Sequence, residues 1–458
     1  MNSGITLADT PGTLDLRPLL DEQHLGRIQW TVIGLCLAAM LVDGYDLFMI
    51  GLALPMIARD FAVAPADLTP VIVAQSVGMA LGTCLAGPLS DRIGRRLPLI
   101  GSVLAFALLT LLTTQVHTVP SFTVVRFFSG VFFAGVIPNA VALTSEMTPA
   151  RYRSGFVALI FCGYSAGASL GGAVNGYVLD THGWQMIFWI GGAIALLLLV
   201  PLVLFLPESL PFRLRLDPLD PWAARLARRM FPRLRIEPGT ALVVDGGRPA
   251  ETGRSTVLAL FAARRRALTL LLWLLFCLSF LCNTTLAAWS GTILNTGAGL
   301  PIATVGTLIG LFALAGIFGT GTSGFLMGRF GPARTLGGFY LLAATAMAAL
   351  AFDGYHGFSV YILMAIAGYG FAGGQGALNA YSSEVYDIRI RATGVGWAFG
   401  SGRLGAILGP ILGGQLLAAG YGPRPFFLAV AAPLLCIVAL LPATIAAKRR
   451  SHLPPAAG

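Results

Sequence analysis

From Ile28 to Ile57 the chain is almost pure hydrocarbon, and eleven further apolar stretches follow it. An α-helix needs ~20 apolar residues to cross the ~30 Å core of a bilayer. Within that core each backbone polar group must find its partner internally, which restricts such stretches to membrane helices. Spans are expected near 28–57, 69–89, 97–116, 120–145, 154–178 and 184–206, then near 267–291, 301–327, 333–352, 357–383, 392–418 and 424–446. Composition agrees. The mean hydropathy is +0.79, and 11% of the residues are charged against ~25% in a soluble domain. The expected fold class is an all-α membrane protein with 12 transmembrane helices in two pseudo-symmetric six-helix halves.

The formal charge of +10 could suggest nucleic acid, but the basic residues sit between hydrophobic spans. With the N-terminus inside, 26 of the 30 Lys and Arg fall on the cytoplasmic side, and only Arg59 and Arg424 fall outside. That split satisfies the positive-inside rule and predicts a multi-pass protein of the inner (plasma) membrane with both termini cytoplasmic. The chain divides into an N-terminal tail (1–27), a first half (28–206), a linker (207–266), a second half (267–446) and a C-terminal tail (447–458). No cleavable signal is visible, so the first span should act as an uncleaved anchor. In the linker, Trp222, Leu226 and Met230 recur at helical spacing among arginines. They fit a short helix lying on the membrane surface; a solvated basic linker fits as well. The six cysteines all lie in spans without metal spacing and read as packing residues. No cofactor or metal is expected, and a monomer in the lipid bilayer is.

The halves repeat at an offset of about 238 residues. Ser145-Glu146 with Arg151 and Arg153 returns as Ser383-Glu384 with Arg389 and Arg391, and Gly167-Ala168-x-Leu170-Gly171 returns as Gly405-Ala406-x-Leu408-Gly409. Parallel repeats imply a site between them near the midplane. Four charges break the repeat: Asp43 and Asp46 fall opposite Leu281 and Thr284, Arg126 opposite Met364, and Arg403 opposite Ser165. A carboxylate or guanidinium at bilayer depth is costly, and it marks a functional site unless an ion pair merely locks helices together. At ~1.5 Å of rise per residue, Asp43 and Asp46 lie ~16–21 Å and Arg126 ~9–13 Å from the outer surface, with Arg403 ~18 Å from the inner one. All four therefore approach the midplane.

Asp43 and Asp46 are spaced i, i+3 and share a helix face. Two carboxylates that close resist double ionisation, so the pair suits proton coupling. A buried guanidinium matches a carboxylate with two parallel bonds, so Arg126 and Arg403 suit an anionic substrate. Asp46 lies nearer Arg126 in depth and should ionise more readily, leaving Asp43 as the proton carrier. Tyr45, Asn139, Asn283, Trp289, Tyr369, Gln375, Asn379 and Trp397 are further candidates to line the cavity. For gating, Asp91, Arg92 and Arg95 in Gly87-Pro-Leu-Ser-Asp91-Arg92-Ile-Gly94-Arg95-Arg96, with Glu146 and Arg151 at the inner end of span four, are expected to form a latch that breaks as the halves rock.

The Gly87–Arg96 loop resembles the loop motif of the major facilitator superfamily, and the twelve-span repeat agrees with that fold. Asp43-Gly44-Tyr45-Asp46 is similar to the signature of the aromatic acid:proton symporter family, as are the run from Arg126 to Glu146 and Gly402-Arg403-Leu-Gly405. The resemblance implies proton-coupled import of an aromatic acid anion such as a hydroxybenzoate, benzoate, protocatechuate or a lignin-derived acid. It also implies transport roles for Asp43, Asp46, Arg126 and Arg403. The second-half loop departs from the motif, with Gly328 where the first half has Asp91, which predicts an asymmetric latch. Proton-antiport efflux and ligand sensing are the alternatives. No nucleophile–base pair, metal cluster or phosphate loop points to an enzyme.

Overall fold

The structure, a computed structural model, describes residues 13–22, 25–231, 240–244, 260–261, 265–355, 357–386 and 391–452. Arg389, the side chain of Arg391 and much of the linker lie outside the described residues. A short strand β1 (Thr13–Asp15) and helix α1 (Arg17–Glu22) precede the first half. That half holds α2 (Arg27–Asp60), α3 (Thr69–Ile93), α4 (Arg96–Thr113), α5 (Val119–Phe133), α6 (Val136–Met147), α7 (Ala150–His182) and α8 (Trp184–Phe205). The linker contributes α9 (Leu210–Leu216), α10 (Pro221–Met230) and β2 (Ala241–Val243). The second half holds α11 (Arg266–Thr292), α12 (Ile302–Phe330), α13 (Pro332–Leu350), α14 (Ser359–Val385), α15 (Arg391–Ala418) and α16 (Pro423–His452). Span four is thus two helices, broken at Ala134-Gly135. Ten of these helical segments are long and apolar enough to cross a membrane. Helices α14 and α15 match them in length but carry more Gly, Ser and Tyr.

Backbone conformation carries the repeat more plainly than side chains do. Among the described residues, positive φ pairs Ala62, Gly94 and Gly183 of the first half with Gly299, Gly331 and Gly420 of the second, and Tyr355 has it without a counterpart. Each pair is 237 residues apart, and each ends or begins a span. Glycine is favoured there because a Cβ is strained in the left-handed region.

Helix packing corrects the register of the first span against the seventh. Gly167 approaches the carbonyl of Leu41, and its counterpart Gly405 approaches the carbonyl of Cys277. Leu41 therefore corresponds to Cys277, an offset of 236, and Asp43 and Asp46 stand opposite Ser279 and Cys282 rather than Leu281 and Thr284. A wide π turn at Ile293–Gly297 absorbs one residue and restores the offset of 237 by Gly299. The counterparts remain uncharged, so the asymmetry of charge stands.

The linker helix also differs from expectation. Leu226 and Met230 of α10 are buried with Leu206, Leu210 and Leu214 in the core of the first half, not laid on lipid. Strand β1 pairs in parallel with β2, so the N-terminal segment and the linker cover one end of the first half together. Asp21 accepts a hydrogen bond from the Ala150 N–H at 2.8 Å and so caps the start of α7.

The halves touch at the end remote from this linker face. Gly51 meets the carbonyls of Ala287 and Ala288, Gly172 and Gly176 meet Gly306 and Gly310, and Gly414 meets Thr69. Ser169 Oγ donates to the Gly310 carbonyl at 2.8 Å. Such small residues let helix backbones approach closely. Toward the linker face Gly87, Gly155, Gly321, Gly324, Gly396 and Gly400 have nothing within 4 Å of where a Cβ would stand among the described residues. The contacts between the halves thus close the central crevice distally, and the described helices leave it open toward the linker.

Candidate functional site

Asp43 and Asp46 are 2% and 1% exposed, yet their surroundings differ. Asp46 is fully engaged: Oδ1 accepts from Arg126 Nη1 at 3.3 Å, and Oδ2 accepts from Gln75 Nε2 at 3.1 Å. Among the described residues Asp43 has no hydrogen-bond partner for either carboxylate oxygen. The charges it senses are those of Asp46 and, from the other half, Arg403. The intervening Gly44 explains how α2 comes so close: a Cβ there would stand 1.8 Å from the Tyr164 carbonyl of α7. Each member of the Asp43–Asp46 tetrapeptide therefore has a separate task.

Arg126, on α5, is wholly buried. Its guanidinium lies 4.8 Å from the Phe188 ring centroid and 5.8 Å from that of Phe122, while Nε and Nη2 lack partners. Cation–π contacts of this kind contribute about 0.5–2 kcal/mol and offset part of the desolvation of the ion. A buried pair of this sort is strongly destabilised when one member is removed, because the other charge is left uncompensated.

Arg403, on α15, is partly exposed. Its electrostatic neighbours are Tyr164, Asp43 and Cys84, all from the first half. Among the described residues it makes no hydrogen bond or ion pair. Gly396 and Gly400, seven and three residues earlier and near it on the helix surface, are open to the crevice. One carboxylate and one guanidinium thus lie within electrostatic range of each other across the two halves, neither with a hydrogen bond or ion pair among the described residues.

The sequence profile of the Major Facilitator Superfamily matches residues 36–387 and 302–457. The chain belongs to the major facilitator superfamily. It is 33% identical to a gallate transporter of Pseudomonas putida over 95% of this chain and 94% of that one. It is 32% identical to a 4-hydroxybenzoate transporter of the same organism over 92% and 93%. These relatives match the aromatic acid:proton symporter family within the superfamily. A bacterial homologue of the lysosomal transporter Spinster, solved inward-facing and occupied, shares the fold with a TM-score of 0.71 at 16% identity, covering 94% of this chain and all of that one. This facilitator is accordingly a multi-pass membrane transporter and not an enzyme.

Two other candidates in the facilitator's first half turn away from the crevice. The Tyr45 hydroxyl donates its one proton to Asn175 Oδ1 and lies 3.3 Å from the Ile187 carbonyl, bracing α2 against α7 and α8. Asn139 Nδ2 donates to the Gly135 carbonyl at 2.7 Å and clamps the break between α5 and α6. Trp289 Nε1 donates to the Pro410 carbonyl, and Trp397 stacks on Trp273. Tyr369 bonds to Thr322. Gln75, Tyr164, Phe122 and Phe188 are the residues that sequence reasoning missed. Gln75 carried one signal: an amide within an apolar span.

The facilitator's loop motif is tied inside the first half rather than across the two halves. Arg95 bridges Asp91 at 2.9 Å and Glu146 at 3.4 Å, and its Nη1 donates to the Ser90 carbonyl. Glu208, at the end of span six, accepts from the N–H groups of Arg95 and Arg96, and Ser209 bonds to the other oxygen of Glu146. The expected inter-half latch is therefore a knot joining α3, α6 and the start of the linker. Arg92 is exposed, and Arg151 lies over the Tyr152 ring. In the second half Glu384 reaches Lys448 at 3.8 Å, and Gly328 stands where Asp91 holds Arg95 in the first.

Proposed function

We propose that this facilitator imports an aromatic carboxylate together with protons by alternating access, with both termini in the cytoplasm. The observation that carries the reading is the buried Asp43 carboxylate, without a hydrogen-bond partner among the described residues and within electrostatic range of Arg403 from the other half. While Asp43 is ionised it offsets the charge of Arg403. Protonation removes that offset and frees the guanidinium to take the substrate carboxylate. Proton and anion therefore bind in favour of each other, and their joint arrival leaves the site's net charge unchanged. Asp46 stays paired with Arg126 and Gln75 and fixes the charge of the first half. The names of the relatives support an aromatic acid as substrate. The positive-inside charge distribution supports cytoplasmic termini, and hence a crevice open to the cytoplasm.

Cells expressing the chain should accumulate labelled 4-hydroxybenzoate or a related acid above the external concentration. A protonophore should abolish the accumulation. Accumulation that survives the protonophore would exclude symport.

A further inference from the structure

In the second half, the place that Asp43 holds in the first is taken by Ser279, and Ser279 begins a hydrogen-bonded chain. Its Oγ lies 2.6 Å from the Tyr340 hydroxyl and 2.5 Å from Gln375 Oε1. An amide oxygen only accepts, so the one Ser279 proton goes to Gln375, and Tyr340 donates to Ser279. Gln375 Nε2 then donates to Asn379 Oδ1 at 3.1 Å. The chain is polarised in one direction, from Tyr340 to Asn379. Its unspent donors are the second Nε2 hydrogen of Gln375 and both Nδ2 hydrogens of Asn379, which meet no acceptor among the described residues.

Because Ser279 stands where Asp43 stands in the other half, the chain lies on the crevice-facing side of its own half. On α14, Gly368 packs on the Phe312 carbonyl of α12, and Gly370 and Gly374 pack on α13. Gln375 and Asn379 follow on the stripe of Gly368, about two and three turns nearer the linker end, and are partly exposed. Gln375 is ten residues from the α14 terminus at Val385, ~15 Å from that end, and Arg403 is ~18 Å from the start of α15 at the same face. The two groups stand at nearly the same depth. One turn distal to Gln375, Phe371 packs on Tyr340 and Phe312, and Phe312 meets Phe48 of the first half at 6.4 Å. The rings of Phe371, Tyr340, Phe312 and Phe48 thus form an aromatic wall beside the amide donors, and Arg403 stands at nearly the depth of Gln375 on α15.

We propose that Gln375 and Asn379 form a subsite for a ring hydroxyl, so that this chain selects hydroxylated over unsubstituted aromatic carboxylates. This rests on the reading of the crevice as an aromatic-acid site. The substrate carboxylate takes Arg403, the ring lies along the aromatic wall, and the hydroxyl oxygen accepts from the amide donors. Once the halves close over the crevice, donors placed to bond a hydroxyl discriminate against an analogue lacking it, because they are then left dry and unpaired.

The test is uptake of labelled 4-hydroxybenzoate and of benzoate, as initial rates over a concentration series, by the wild type, Gln375→Leu and Asn379→Ala. The wild type should prefer the hydroxylated acid, and each variant should lower that preference about ten-fold while still carrying benzoate. Asn379→Ala leaves the Tyr340–Ser279–Gln375 bonds intact, so it reads the subsite even if Gln375→Leu misfolds. An unchanged preference in Asn379→Ala, or a wild type that favours benzoate, overturns the subsite alone. A wild type that carries neither acid overturns the aromatic-acid reading and the subsite with it.

Discussion

At the scale of the residue, the two aspartates of α2 are made unequal by their neighbours. Asp46 is held by Arg126 and Gln75, while Asp43 has no hydrogen-bond partner among the described residues. Arg126→Met should therefore cost about 3–5 kcal/mol of stability, because it strands a buried carboxylate. Adding Asp46→Asn should restore much of that loss. Thermal unfolding in detergent of the two single variants and the double variant measures the coupling, and additive losses would contradict the pairing. The charges themselves were legible in the sequence, since four ionisable residues stood out against apolar spans and an internal repeat. Their partners were not. Gln75 and Tyr164 look ordinary in their own helices, and only packing brings them to Asp46 and Arg403. Tyr45 misled for the same reason, because the side of a helix that faces a crevice is set by the helices beside it.

At the scale of the element, spans, glycine-bearing turns and the loop motif could be read from periodicity and composition. The register of α2 against α11 could not, because the π turn at Ile293–Gly297 adds a residue that the sequence does not mark. Nor could the docking of α10, since an amphipathic helix suits a protein surface and a membrane surface equally well. That docking is held by Asp220, which accepts from the Trp222 N–H at 2.9 Å and from Arg213 Nε at 2.6 Å. Burial alone would raise the Asp220 carboxyl, but the bonds from Trp222 and Arg213 outweigh it and hold it below the usual carboxylate range. A carboxyl lowered in the folded state contributes stability above its unfolded pKa, and that contribution disappears as pH falls through the lowered value. Asp220→Ala should therefore speed hydrogen exchange in α10 at neutral pH, by about the ~1 kcal/mol of a lost helix cap. The difference between variant and wild type should shrink in acid. A difference that persists unchanged in acid would mean that the carboxylate is not what holds the helix.

At the scale of the whole molecule, two repeats share one backbone plan and differ in what they bring to the crevice. The first half offers an acid pair with one guanidinium neutralised, and the second offers a free guanidinium and a chain of neutral donors. Glycine contacts close the distal end, and the linker end stands open. Rocking between this arrangement and its mirror would switch the access of Asp43 and Arg403, which stay near the midplane, from one side of the membrane to the other, and protonation of Asp43 would set which ligand binds beside them. Asp43→Asn fixes that residue in the neutral form, so the variant should bind and exchange substrate without using the proton gradient. The decisive measurement is uptake of labelled 4-hydroxybenzoate into proteoliposomes under an imposed inward proton gradient, comparing wild type with Asp43→Asn. The account predicts uphill accumulation by the wild type, and only equilibration and counterflow by the variant. Accumulation by Asp43→Asn to the wild-type level would contradict it.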